Sequence, residues 1–289
     1  MKRPHITLLF FSCLAAAPLA AQTTIGGNPC TSAFLNGYYA ASITGRQVNA
    51  SGTFTGVFQA NGTLTFDGQR TVYVNMTADT NQAVATPLAW TGNYSVQANC
   101  VGLINITSGS SATFNLVLFD NGANILLTGS DATFSYAGNG NAQPTGCSAS
   151  LLSGVYTYSA TGFSLSSTAI NGATNATGLL QFDGQGHVTA NLSFAPTNSN
   201  AATLTGTYTV GSNCQGTATL SDSKGGSYVM SLSLEGNIPA AAPLYSTPVF
   251  VGLAESGKFI VTGGANAIYG QPTATTAAVR VPADRRGRS

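Results

Sequence analysis

An eleven-residue block that occurs twice is the feature that most constrains how this chain of 289 residues can fold. Residues 92–102 read Gly-Asn-Tyr-Ser-Val-Gln-Ala-Asn-Cys-Val-Gly, and residues 206–216 read Gly-Thr-Tyr-Thr-Val-Gly-Ser-Asn-Cys-Gln-Gly. Glycine, tyrosine, valine, asparagine, cysteine and the final glycine stand at the same spacing in both blocks. Because chance rarely repeats so many positions, the pattern indicates a tandem duplication.

Further matches extend the duplication over most of the chain. Residues 35–39 correspond to 152–156, and residues 62–69 correspond to 178–185, with Phe-Asp-Gly-Gln in both. The copies predict two domains of about 115 residues at 30–137 and 147–270, joined by a Gly- and Asn-rich linker at 138–146. Matching residues 126–129 to 260–263 predicts an insertion over about 235–254 in the second copy. Its prolines favour an extended loop or an added edge hairpin over a core strand.

The two ends of the chain differ from the rest in composition. Residues 1–21 combine Lys2 and Arg3, an apolar core and a run of small residues, which is the order of a secretory signal peptide. No other apolar run is long enough to span a bilayer as a helix. The Arg-rich residues 271–289 are expected to form a disordered basic tail. We therefore expect a secreted or periplasmic protein without a membrane span.

The low charge of the chain excludes one class of partner. Charged residues make up 7% of the sequence, and between residues 22 and 278 four basic side chains oppose eight acidic ones. Proteins that bind nucleic acid present clustered positive charge to the phosphates. This mildly acidic body therefore predicts no nucleic-acid partner.

Four cysteines remain after the signal segment, and their number and placement predict disulfides. Cys30 and Cys147 open the two copies, while Cys100 and Cys214 lie in the repeated block. An even number of cysteines in an exported chain favours disulfide bonds. Because each copy holds one cysteine of each kind, we predict the pairs Cys30–Cys100 and Cys147–Cys214.

The hydrophobic pattern is that of an all-β protein. Residues 88–96 alternate larger, mostly apolar side chains and Gly92 with small or polar residues, the two-residue period of a half-buried strand. Turn dipeptides at Asn61-Gly62, Asp67-Gly68 and Asn121-Gly122 separate further predicted strands. We predict two tandem antiparallel β-barrels, because a closed barrel leaves no exposed strand edge. Two β-sandwiches are the alternative, although Trp90 is misplaced for an immunoglobulin-like core.

The repeated motifs also carry a resemblance. The opening Leu-x-Gly-x-Tyr, the Phe-Asp-Gly-Gln hairpin and the Gly-x-Tyr-x-Val-x-x-Asn-Cys-x-Gly block resemble repeats in uncharacterised exported bacterial proteins. The opening Gly-x-Tyr is also similar to the first strand of lipocalin- and avidin-like barrels. Lipocalins usually have Gly-x-Trp at this place. The resemblance covers residues 30 to about 270 and implies a lipocalin-like barrel fold rather than an activity.

The residues that most often carry chemistry do not form a catalytic pattern. His187 is the single histidine after the signal segment, and it follows Asp183 in a predicted hairpin. A catalytic triad needs a nucleophile beside such a pair, and a zinc site needs three or four ligands. Asp67 and Asp183 precede glycines at hairpin tips, where aspartate favours the turn itself. We therefore predict no enzyme activity, no metal site and no cofactor.

The recurrent tyrosines are the candidates for contact with a ligand. Tyr39 matches Tyr156, and Tyr94 matches Tyr208. Core packing accounts for such residues, and lining of a ligand cavity is the alternative, since a barrel of this size can hold one small ligand. We predict a non-catalytic protein with an extracellular or envelope binding or structural role; its partner is unknown, with an extracellular polymer and a small apolar ligand as the candidates. A carrier of a small apolar ligand inside a barrel is the alternative function, and an enzyme on a barrel scaffold is a weaker one.

Overall fold

The computed structural model describes residues 29–144, 146–195, 202–236 and 249–268. These residues form two tandem closed antiparallel barrels of eight strands each. The predicted pair of barrels is therefore confirmed, and the alternative of two sandwiches is wrong. The predicted signal peptide at 1–21 and the predicted tail at 271–289 lie outside the described residues. Within the described ranges, no helix is long and apolar enough to cross a membrane.

The first barrel is an up-and-down meander that closes where its first and last strands pair. Its strands are β1 (Asn36–Val48), β2 (Phe54–Asp67), β3 (Thr71–Thr80), β4 (Thr86–Val96), β5 (Val101–Ser108), β6 (Thr113–Phe119), β7 (Asn124–Ser130) and β8 (Ser135–Ala142).

The second barrel repeats this topology and closes between its first and last strands. Its strands are β9 (Ser153–Ser166), β10 (Ala169–Asp183), β11 (His187–Ala195), β12 (Ala202–Val210), β13 (Gln215–Ser221), β14 (Ser227–Leu234), β15 (Val249–Glu255) and β16 (Phe259–Ala267).

The dipeptide Asn61-Gly62 does not form the turn that its composition predicts. It lies in the middle of β2, paired with β3 through Gly62 and Met76. A Cβ atom at Gly62 would come within 2.4 Å of the Asn75 carbonyl oxygen, so the glycine permits close approach of two strands. The predicted turn is wrong here because glycine is also the residue that allows two strands to pack closely.

The predicted linker at 138–146 is wrong in its first half, because β8 runs through Ala142. Its glycines fit the barrel wall. A Cβ atom at Gly138 would lie 2.6 Å from the Ser42 carbonyl oxygen, and one at Gly140 would lie 3.0 Å from Ile125 Cγ1. The glycine-rich composition therefore reflects tight strand packing, and the connection between the barrels begins after Ala142.

The insertion predicted over about 235–254 is wrong in its last part. Val249–Glu255 forms β15, a strand of the second barrel that is buried at every position. The sequence match paired residues 126–129, which lie in β7, with residues 260–263, which lie in β16. In the barrels, however, β15 occupies the place of β7, and β16 occupies the place of β8. The extra length lies between β14 and β15, and residues 237–248 of it are outside the described residues.

Each barrel has one end closed by a short 3-10 helix and a disulfide. Ser32–Phe34 precedes β1, and Ala149–Leu151 occupies the same place before β9. Disulfides join Cys30 to Cys100 and Cys147 to Cys214, which are the two pairs that the duplication predicts. Each bond fixes the start of a copy to the turn inside its repeated block.

The barrels meet along β2, whose residues 56–64 are buried without alternation. One face of β2 lines the first barrel, and the other packs against β14, β15 and β16 of the second. Asn61 Nδ2 donates to Thr262 Oγ1 at 3.0 Å and to Ser231 Oγ at 3.3 Å. Ser233 Oγ donates to the Gly62 carbonyl oxygen at 2.6 Å. The junction is thus largely a set of buried hydrogen bonds, in agreement with the rule that buried polar groups find partners.

A small apolar cluster completes the junction. Val57 of the first barrel is fully buried against Ala254 and Ile260 of the second. These side chains are separate from the two barrel interiors, each of which forms its own core.

Candidate functional site

The four tyrosines predicted as candidate ligand contacts lie buried near the closed ends of the barrels. Tyr94 Oη donates to the Leu35 carbonyl oxygen at 3.0 Å, and Tyr208 Oη donates to the Leu152 carbonyl oxygen at 2.8 Å. Both hydroxyls thus hold the chain next to the 3-10 helices. Tyr39 Oη donates to the Gly122 carbonyl oxygen at 2.6 Å.

Their rings form the same aromatic group in each barrel. Phe66 packs edge-on between Tyr39 and Tyr94, with ring centroids 5.4 and 5.0 Å away. Phe182 packs in the same way between Tyr156 and Tyr208, at 5.4 and 5.0 Å. Edge-to-face pairs of this kind stabilise a core beyond the area they bury. These contacts give the tyrosines a packing role, and contact with a ligand at these positions stays a prediction.

The opposite ends of the two barrels differ from each other. In the first barrel, Phe58, Trp90, Phe114 and Tyr136 are all buried and pack together. The ring of Tyr136 lies 5.3 Å from that of Phe58 and 5.5 Å from that of Phe114. Large aromatic side chains therefore fill this end of the first barrel.

Smaller side chains occupy the equivalent positions of the second barrel. Gly45 pairs with Phe58 on one side and Tyr136 on the other. The equivalent Gly162 pairs with Thr174 and Val261. By the same strand registers, Leu204 and Met230 replace Trp90 and Phe114. The second barrel therefore lacks the aromatic filling at these four positions.

Three other positions change in the opposite direction. Where the first barrel has Ala41, Ala78 and Ala112, the second has Tyr158, Phe194 and Tyr228. Phe194 and Tyr228 lie at the strand ends, so the bulk has moved from the inside of the barrel toward its rim. Tight packing tolerates such exchanges when the total volume changes little.

A cavity of about 340 Å³ opens at this end of the second barrel. Its apolar wall comes from Phe194, Tyr228 and Phe259, and the rings of Phe194 and Phe259 are 4.7 Å apart. Thr174 lies in the wall and donates to the Ala195 carbonyl oxygen at 3.0 Å. The volume is within the roughly 300–1,000 Å³ of small-molecule sites. We refer to this cavity as the open end of the second barrel.

Charged groups surround the open end. Lys258 forms an ion pair with Glu255, and Tyr228 Oη donates to Asp222 Oδ2 at 2.8 Å. Burial and this carboxylate raise the pKa of Tyr228, so its hydroxyl stays protonated at neutral pH. The Lys224 ammonium also lies at the rim, and among the described residues it belongs to neither ion pair. A ligand at this end would meet an aromatic wall beneath a rim that carries both signs of charge.

Two tyrosine hydroxyls inside the second barrel, those of Tyr156 and Tyr158, have no hydrogen-bond partner in the described part of the chain. Both side chains belong to the buried core of the second barrel, and neither is one of the residues that line the open end. Burial raises the pKa of Tyr158. Because an unpaired buried hydroxyl costs free energy, these two groups lower the stability of this core.

The histidine and the hairpin aspartates occupy turns. Asp183 Oδ1 accepts from the backbone N–H groups of Gln185 and His187, and His187 Nδ1 lies 2.6 Å from Asp183 Oδ2. Desolvation raises the pKa of Asp183, but these hydrogen bonds lower it more, to about 2. Within the described ranges, no three His, Cys, Asp or Glu residues are grouped so that they could hold a metal ion.

Sequence reasoning missed the residues of the open end. Identities between the copies pointed to the tyrosines, whereas Thr174, Phe194 and Tyr228 are positions where the copies differ. An alignment of the two copies by strand register shows that Thr174 replaces Phe58, whereas Phe194 and Tyr228 replace alanines. The differences between the duplicated barrels are thus the signal for this site.

Comparison with known proteins gives limited information. No known protein family matches the chain, and no curated protein does. Among solved structures, a protein of unknown function from the DUF3598 family of Nostoc punctiforme is 9% identical, with a TM-score of 0.24, and the match covers 82% of this chain and 98% of that one. A mutant of transferrin binding protein B from Haemophilus parasuis is 8% identical, with a TM-score of 0.26, and the match covers 79% of this chain and 75% of that one. At these TM-scores the likeness supports no argument about activity, and the resemblance to exported bacterial repeats stays a prediction.

Proposed function

We propose that this protein is an exported, non-catalytic binding protein that holds a small, mainly apolar ligand in the open end of its second barrel. The cavity of about 340 Å³ beside Thr174, Tyr228 and Phe259 carries the proposal. It lies where the first barrel is filled by aromatic side chains. The second barrel has Thr174 in place of Phe58 there, and its own aromatic side chains Phe194 and Tyr228 line the cavity.

The lining suggests the chemistry of the ligand. Phe194, Tyr228 and Phe259 offer apolar surface, so the body of the ligand is apolar and preferably flat. This is the alternative function that the sequence left open, now assigned to one barrel.

Binding of N-phenyl-1-naphthylamine, an uncharged apolar fluorophore, tests the proposal. The wild-type chain is expected to bind one equivalent with an increase in fluorescence. Thr174→Phe introduces the residue that the first barrel has at this position, and it should weaken binding by about tenfold or more because the ring occupies the cavity.

Thr177→Phe is the matched control, because Thr177 is exposed on the same strand. It should bind the fluorophore as the wild type does. Melting temperatures of all variants establish that they are folded. A folded Thr174→Phe variant with unchanged affinity would contradict the proposal, as would a wild-type chain that binds no fluorophore.

A polymer-binding role is the second candidate, and one surface feature favours it. Tyr38 and Tyr73 are 50% and 52% exposed, and both flank Thr65 on the outer face of the first barrel. Exposed aromatic rings side by side on the outer wall of the barrel suit stacking against an extracellular polysaccharide. The double variant Tyr38→Ser, Tyr73→Ser should lose retention on an insoluble polysaccharide that retains the wild type, while still binding the fluorophore.

A further inference from the structure

Equivalent segments of the two copies face each other across a cleft between the barrels. Residues 44–46 of β1 line one side, and the matching residues 161–163 of β9 line the other. The cleft has a volume of about 380 Å³. In these three-residue segments, Thr44 matches Thr161 and Gly45 matches Gly162, but Arg46 of the first copy corresponds to Phe163 of the second.

Arg46 is the only charged residue that lines the cleft within the described ranges. Its guanidinium carbon lies 5.5 Å from the ring centroid of Phe54 and 5.6 Å from that of Phe163. Two such cation–π contacts orient the group without using its N–H donors. The ion pairs of the described residues are His187–Asp183 and Lys258–Glu255, so this guanidinium has no acidic partner among them.

The rest of the cleft is apolar or neutral. Phe58 and Ile170 contribute apolar surface, and Asn175 and Gln59 contribute amides. Gln59 is buried, and its Nε2 donates to the Thr161 carbonyl oxygen at 3.4 Å, which fixes one wall to the other. No carboxylate lines the cleft in the described part of the chain. The arrangement is an oriented cation beside apolar walls, in a space large enough for a small molecule.

We propose that this cleft is a second binding site, separate from the open end of the second barrel, for a small organic carboxylate. The carboxylate pairs with the Arg46 guanidinium, and the apolar body lies against Phe54, Phe163 and Ile170. The planar guanidinium matches a carboxylate with two parallel hydrogen bonds. Arg46 is the single cation that lines the cleft within the described ranges, so the site balances one negative charge. A carboxylate, with one negative charge, therefore fits better than a phosphate dianion.

Calorimetric titration with 2-naphthoate tests the assignment, with 2-naphthamide as its uncharged analogue. The wild type should bind 2-naphthoate about tenfold more tightly than 2-naphthamide, since a charge-assisted hydrogen bond is lost with the amide. Arg46→Gln should remove this difference, and Arg46→Lys should keep only part of it. The affinity of the wild type for 2-naphthoate should also fall as sodium chloride is added.

Arg70→Gln is the matched control, because Arg70 is an exposed arginine in the turn between β2 and β3. It should bind 2-naphthoate as the wild type does. Equal affinity of Arg46→Gln and the wild type for 2-naphthoate would overturn the proposal, and so would tighter binding of 2-naphthyl phosphate than of 2-naphthoate. Thr174→Phe should leave 2-naphthoate binding unchanged, which separates failure of this site from failure of the open end.

Discussion

Asp79 and Gln59 lie directly opposite each other on β3 and β2, on the face of the first barrel that packs against the second. They are 4% and 3% exposed, and Gln59 Oε1 has no hydrogen-bond partner among the described residues. One oxygen of Asp79 accepts from the Ala85 N–H at 2.7 Å. Burial raises the pKa of Asp79 to about 6, although the Ala85 hydrogen bond lowers it. When Asp79 is protonated, its carboxyl O–H can donate to the Gln59 amide oxygen, which otherwise has no donor among the described residues.

Asp79→Asn should stabilise the protein at neutral pH. The folded pKa lies above the unfolded value near 4, so wild-type stability falls as pH rises from about 4 to about 6 and stays low above that. The asparagine keeps an acceptor for Ala85, supplies a donor for Gln59 and carries no charge. The expected gain at pH 7 is up to about 3 kcal/mol by urea denaturation.

The control for this experiment is Asp120→Asn, at an exposed carboxylate in the β6–β7 turn. An asparagine there still accepts from Asn124 Nδ2, so this variant should not gain stability at pH 7. If Asp79→Asn destabilises the protein at pH 7, burial of the charged carboxylate is not the controlling effect at this position.

Asp67 should show the opposite dependence on pH. Its Oδ1 accepts from the backbone N–H groups of Gln69, Arg70 and Thr71 at 2.8, 2.8 and 2.9 Å. Desolvation raises the pKa of Asp67, but these hydrogen bonds lower it more, to about 2. Its contribution to stability is therefore present above about pH 4 and is lost as pH falls toward 2. NMR titration of the Asp67 carboxyl should give a midpoint near 2, and Asp67→Ala should lower the melting temperature at pH 7 but not at pH 2.

The first glycine of the repeated block should tolerate no side chain. A Cβ atom at Gly206 would lie 1.9 Å from the Thr219 carbonyl oxygen, and one at Gly92 would lie 2.4 Å from that of Asn105. Gly206→Ala should therefore cost about 3 kcal/mol because adjacent strands must separate. Gly264→Ala is the matched strand control, since a Cβ atom there meets nothing within 4 Å. Equal denaturation midpoints for the two variants would contradict this explanation of the motif.

The disulfides should contribute similarly to the two barrels. They span sequence separations of 70 and 67 residues, so the entropy lost from the unfolded chain is nearly the same. The double variant Cys30→Ser, Cys100→Ser should lose about 4 kcal/mol, and so should Cys147→Ser, Cys214→Ser. Urea denaturation followed by Trp90 fluorescence reports on the first barrel. A loss in one variant pair but not in the other would point to strain or residual unfolded structure.

The sequence predicted the repeated fold because identities between copies mark positions that every barrel of this kind needs. Phe66 and Phe182 pack the closed ends, Gly92 and Gly206 allow close strands, and the cysteines fix the turns. Composition was misleading where glycine served packing, as at Gly138. The candidate sites could not be predicted in this way, because they depend on residues that differ between the copies and meet only after folding. Arg46 and Phe163 are an example, since neither residue alone indicates a cleft.

The hydrogen-bonded junction along β2 bears on how such a chain could arise. A surface rich in side chains such as Asn61, Ser231 and Thr262 is compatible with water when it is exposed, so neither half needed its neighbour in order to remain dispersed in solution. A gene for a single barrel could therefore have been copied and fused before any interface had evolved. Later substitutions could then specialise one half while the other preserved the ancestral scaffold.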